Sequence, residues 1–189
     1  MANNKVKFGL SNCVMAVMTE NNGAITYGTP ISVPGAVSLS LEPQGDTNDF
    51  YADNYIYYSS TANQGYEGDL EIAMIPDAIR TAIMGETVDT NGAYVETSKD
   101  TFKNFAFGFQ IEGDAKARRF WYYNCSLTRP TNEGSTIEES KEPQTDTLTI
   151  KAMPRGTDKL VRVFIEKTEE NVSVYNSFFS SVYETPTSI

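Results

Sequence analysis

The sequence predicts a mainly β fold: antiparallel sheets packed as a sandwich or barrel, with one short helix lying against them. Three observations predict it. Six segments alternate apolar and polar residues with a period of two, the pattern of half-buried strands. Only one well-marked helical pattern interrupts them, so the sheets are expected to be antiparallel and packed on one another. The chain has 189 residues, 40% of them hydrophobic, and at this length roughly 70% of the unfolded surface can be buried without disulfide staples.

The elements follow in order. Ala36 to Glu42 sets Val37, Leu39 and Leu41 against Ser38, Ser40 and Glu42. From Gly65 the chain reads GYEGDLEIAMI, with Leu70, Ile72 and Met74 expected in the core and Glu67, Asp69 and Glu71 on the opposite face. Pro76 to Met84 reads as the helix: Pro76 suits the first helical position, Asp77 complements the dipole, Ile79, Ala82 and Ile83 form a stripe, and Gly85 ends it. Phe105, Phe107, Phe109 and Ile111 share a strand face, and the turn residues Gly113 and Asp114 lead into a return strand from Arg119 to Leu127, aromatic on both faces. Leu148, Ile150 and Ala152, then Val161, Val163 and Ile165, mark two further strands. From Glu169 to Tyr183 a stripe of Val172, Tyr175, Phe178, Phe179 and Val182 fits a helix, so the division expected is a β domain over 1–168 and a C-terminal arm or helix over 169–189.

Two connections are long. Glu42 to Gln64 carries four carboxylates and five aromatics, Phe50, Tyr51, Tyr55, Tyr57 and Tyr58, with no core alternation. Loops of this length are usually functional or disordered, and tyrosine density points to a contact surface. Pro130 to Asp146 is polar and reads as a mobile loop.

Charge narrows the function classes. The formal charge is -10 with no histidine, which argues against a basic nucleic-acid reader and removes imidazole bases, triads and metal sites. Phe8 to Ile79 holds nine carboxylates and not one Lys or Arg. Two cysteines, Cys13 and Cys125, are too few for a Cys-only zinc site. With no export signal visible they are expected to be buried reduced thiols. No apolar run is long enough for a membrane helix. Asn124-Cys125-Ser126 and Asn171-Val172-Ser173 read as chance glycosylation matches. Asp46, Asn48, Asp49 and Asp53 lack calcium-loop spacing. Arg118 and Arg119 beside Phe120 and Trp121 fit a strand end better than a base-stacking site. Asn21-Asn22-Gly23 and Asp89-Thr90-Asn91-Gly92 are turns. No catalytic set, metal site or cofactor is expected.

Four stretches carry a resemblance. FGLSNC from Phe8, TYGTPISVPGAVSLSLEPQGDTNDFYADN from Thr26, GYEGDLEIAMIPDAIR from Gly65 and YNCSLTRPTNEGSTIEESKEPQTDTLTIKAMPR from Tyr123 together span most of the chain. In order and spacing the chain closely resembles the major tail (tail tube) proteins of long non-contractile-tailed bacteriophages of Gram-positive hosts. The resemblance implies a virion structural protein with the β-sandwich of the tail-tube type. Such a protein self-assembles into stacked hexameric rings, made in the host cytoplasm, around a tape-measure protein and between the tail terminator and distal tail proteins. The tube is a conduit for DNA ejection, passing DNA without sequence-specific binding. Under this reading Glu67, Asp69 and Glu71 face the lumen, while Phe50, Tyr51, Tyr55, Tyr57 and Tyr58 contact neighbouring subunits. Two rival classes are a carbohydrate-binding or adhesin-like β-sandwich, which a tyrosine-rich surface would suit, and a two-carboxylate hydrolase.

Overall fold

The computed structural model describes residues 4–132, 134–136 and 143–186. The chain opens with β1 (Lys7–Asn21), β2 (Ala24–Tyr27), β3 (Ile31–Ser32) and β4 (Ala36–Gln44). Next come β5 (Thr47–Ala52), β6 (Tyr55–Thr61) and β7 (Gly65–Ile72). A helical turn, α1 (Asp77–Ile79), runs into a π-helical turn over Arg80–Met84. Short strands β8 (Thr87–Val88) and β9 (Tyr94–Val95) precede the long pair β10 (Phe105–Gly113) and β11 (Arg118–Leu127). Then follow β12 (Asp146–Met153), β13 (Arg162–Glu166) and α2 (Val172–Ser177). Of the polar connection from Pro130, Glu133 and residues 137–142 lie outside the described residues.

Among the described residues, nine strands form one antiparallel sheet in the order β2-β1-β10-β11-β12-β7-β4, with β3 also on β1 and β13 also on β11. The branch lies in β11: Arg118–Tyr122 pair with β13, whereas Asn124–Leu127 pair with β12. Beyond it the sheet curls back on itself. One core cluster therefore joins Leu70, Ile72, Leu148 and Ile150 of one limb to Met15, Phe105 and Phe107 of the other, and the result is the expected antiparallel β-sandwich.

The central strands are buried on both faces. Phe105, Phe107 and Phe109 point into this first cluster, while Ala106 joins a second built around Trp121, Tyr123, Phe178 and Val182. Gly108 makes room for the indole: a Cβ there would lie 2.9 Å from Trp121 Cε3 and 2.8 Å from Val14 Cγ2. The lid of the second cluster is the C-terminal segment. α2 is shorter than the stripe suggests, because after Ser177 the chain tightens into turns in which Phe178 and Ser180 donate to carbonyls three residues back, yet Tyr175, Phe178 and Val182 are all buried. Burial of each contributes roughly 1.5–3 kcal/mol. Trp121 Nε1 donates to the Phe178 carbonyl at 2.8 Å, and the Tyr123 hydroxyl donates to that of Tyr183 at 2.8 Å.

Arg155, 6% exposed, locks this segment down. Its guanidinium lies 4.7 Å from the Tyr123 ring centroid, donates to both Glu184 carboxylate oxygens at 2.8 and 2.9 Å, and bonds Asp158. Arg155→Met is expected to cost about 2 kcal/mol, below the roughly 3–5 kcal/mol of a fully buried pair, because both carboxylates are partly exposed and take up water when the cation leaves. The urea midpoint and a red shift in Trp121 emission check this; an unchanged midpoint contradicts it. The Arg155 hydrogen bond holds the Asp158 carboxyl below its ordinary 3.8, so this contribution is complete above that pH and is lost on further acidification.

Four expectations need correction. Val37 is 56% exposed rather than inward, because a bulge between Ala36 and Ser38 gives its core position to Ala36. Met74 is 71% exposed: β7 ends at Ile72, the chain bends, and Ile75 enters the core with its N–H bound to Asp146. Pro76 caps the helix from outside with ψ 139, and only Asp77–Ile79 is α-helical before the winding widens and Gly85 ends it at φ 85. Glu42–Gln64 is no irregular loop. It contains the end of β4 and the β5–β6 hairpin.

Candidate functional site

Three neighbouring strands build a polar sheet face. Register places Ser38, Glu71 and Thr147 in one row, Ser40, Asp69 and Thr149 in the next, and Glu42, Glu67 and Lys151 in a third. The inward side of β7 carries Leu70 and Ile72, both fully buried, so alternation turns the carboxylates outward. Gly68 lets β4 come close, since a Cβ there would meet the Ser40 carbonyl oxygen at 1.9 Å. Hydroxyls fix the acids: Ser38 Oγ and Thr145 Oγ1 donate to Glu71 at 2.9 and 2.8 Å, and Thr149 Oγ1 donates to Asp69 at 2.7 Å. Thr145, then Ser38, holds the Glu71 carboxyl below its usual range. Lys151 Nζ lies 3.4 Å from Glu67. The face thus has four carboxylates, one ammonium and no apolar side chain in its three rows. The Ser/Thr alternation of β4 and β12 was visible in sequence; the pairing that sets it beside β7 was not.

The predicted contact residues sit on a projecting arm. β5 and β6 pair from Thr47↔Thr61 to Ala52↔Tyr55, with a register slip between Phe50 and Tyr51, around a turn in which Asp53 and Asn54 have φ 52 and 64. Phe50, Tyr51, Tyr55, Tyr57 and Tyr58 are 54–64% exposed, and Ile56, absent from the sequence-based set, is 49% exposed. The Tyr55 and Tyr57 rings lie 6.0 Å apart. An isolated two-stranded hairpin is at best marginally stable in water, so a bare aromatic arm of this kind calls for a partner surface. β4, from which it grows, is an edge strand among the described residues, a template for another chain.

Other candidates are used structurally. Arg118 pairs with Glu166, and Arg119 lies 4.2 Å from the Tyr175 ring centroid and donates to Gln110. Asn124 accepts from Asn104, and Asn171 accepts from the Thr168 N–H and donates to Glu166, so both asparagines of the glycosylation patterns serve internal bonds. Cys13 and Cys125 are buried free thiols. Burial pushes Cys13 up to about 12 and raises Cys125 as well, which leaves both unreactive. Among the described residues no group of three or more His, Cys, Asp or Glu could hold a metal ion, and no helix is long and apolar enough to cross a membrane.

Comparison with known families adds one match. A family model described as phage tail tube protein covers residues 1–159. No curated protein sequence matches the chain.

Proposed function

Because the chain belongs to the phage tail tube protein family, and is therefore a structural component of the virion's tail, we propose that it builds a long non-contractile tail tube from stacked hexameric rings, in a phage of a Gram-positive host. The observation that carries this reading is the bare hairpin arm on an otherwise packed sandwich. An arm that buries nothing in its own subunit gains its stability from another copy. Edge strands such as β4 supply lateral contacts within a ring, and the arm bridges from ring to ring.

The polar face of β4, β7 and β12 lines the lumen in this assembly. A conduit for DNA should not bind phosphates, and cationic walls would hold them by counterion release. The tube forms in the host cytoplasm around a tape-measure protein, bounded by tail terminator and distal tail proteins, and opens for DNA ejection. The β domain over 1–168 supplies the wall, and the segment over 169–189 serves as a strap over the second core cluster.

Concentrated protein, alone or with its initiating tail complex, should polymerise into rings or tubes visible by negative-stain electron microscopy. A strictly monomeric chain under both conditions, by light scattering, overturns the reading.

A further inference from the structure

We propose that an open groove of about 430 Å³ between β4, β10 and β11 is the seat for the β5–β6 arm of a second copy. This rests on the reading of the arm as a subunit contact. Leu39 and Leu41 form one wall, and Phe109, Ile111, Phe120 and Tyr122 form the other. Of these only Phe109 and Tyr122 are buried; the rest are half-covered core residues at a gap where the curled sheet fails to close. The groove is thus an extension of the core that reaches the surface.

Charge favours the arm as occupant. Lys5, Lys7, Arg118 and Arg162 border the groove against one lining carboxylate, Glu112. Arg118 is paired with Glu166, while Arg162 lies 4.9 Å from the Tyr66 ring centroid and donates to the Tyr122 hydroxyl. Among the described residues no acidic partner lies within ion-pair distance of Lys5 or Lys7. The arm and the turns at its two ends offer the reverse: Asp46, Asp49 and Asp53, with no cation anywhere from Phe8 to Ile79. Its aromatics match the apolar walls, and its acids match the rim. The arm does not fill its own molecule's groove, since every residue of β5 and β6 except Ala52 is exposed. Strands of six and seven residues reach about 20 Å, enough to enter a neighbouring subunit.

Two full-length variants, Leu41→Cys and Tyr55→Cys, test the seat. Mixed, assembled and mildly oxidised, they should give a covalent dimer at least about tenfold more abundant than either alone, because the two native thiols are buried. A second measurement avoids the core. Lys5→Glu with Lys7→Glu, and separately Asp46→Lys with Asp49→Lys, should each slow assembly about tenfold, and mixing the two variants should restore it. Tubes without the mixed disulfide, or charge reversal without rescue, overturn the groove as the seat. Failure of the arm as a contact is a distinct result, normal tubes from a chain whose arm tyrosines are gone.

Discussion

A chain in which Tyr55, Tyr57 and Tyr58 are all replaced by Ser is expected to fold normally and to build no tubes. The three side chains are 54%, 64% and 63% exposed, so the sandwich loses nothing it packs. Between subunits the loss is large. Aromatic side chains bury 150–250 Å² each and dominate interface energetics, and removing a cluster of them costs about 4 kcal/mol per contact, roughly a thousandfold in affinity. Circular dichroism and urea unfolding should match the parent, while electron microscopy and light scattering should show monomers or lone rings. Serine also lowers strand propensity, so the arm should become more susceptible to protease. Normal tubes from this variant would refute the assignment of the arm.

The second large effect concerns the polar face. Glu67→Lys, Asp69→Lys and Glu71→Lys together add two charges per exchange, moving the formal charge from -10 to -4. The inward residues Leu70 and Ile72 are untouched, so tube assembly should survive. The wall then changes sign. Where Glu67 now sits beside Lys151, two ammoniums would repel each other and attract the phosphates of passing DNA, and every copy in the proposed tube would repeat this. Infectivity of otherwise complete particles should fall at least about tenfold, with the deficit easing as salt rises, since charges act over roughly 8 Å at physiological ionic strength. If delivery is unchanged across a range of salt concentrations, these carboxylates do not line the channel in any way that matters.

Legibility in the sequence followed how cleanly each strand separates a wet face from a dry one. β7, β10, β11, β12 and β13 do so, or carry dense aromatic character, and all were expected close to where they lie. β1, fifteen residues long, left no such signature. Cys13 and Met15 enter the first core cluster while Ala16 enters the second, and register slips at Lys7/Leu10 and Ser11/Val14, with Asn12 at φ 50, break the period. The arm was hidden for the opposite reason: both of its faces are wet in the single chain, so no alternation betrays a strand. The acidic row of β7 was readable because alternation is local. Its setting between the hydroxyl rows of β4 and β12 depends on pairing across about 30 and 80 residues, which no local pattern encodes.

The lid over Trp121 has a consequence for the order of synthesis. Chains leave the ribosome from the N-terminus at about 5–20 residues per second, so β1 waits about 5–20 s for β10. Phe178, Val182 and Tyr183, which close the second cluster, emerge after every strand in the sheet. A message cut short before Phe178 thus yields a chain with its whole sheet and a naked indole face. Such a product displays an apolar patch that Phe178, Val182 and Tyr183 otherwise cover. Closing the second cluster is therefore the last packing step that the order of elements permits, and it is the step that hides the indole.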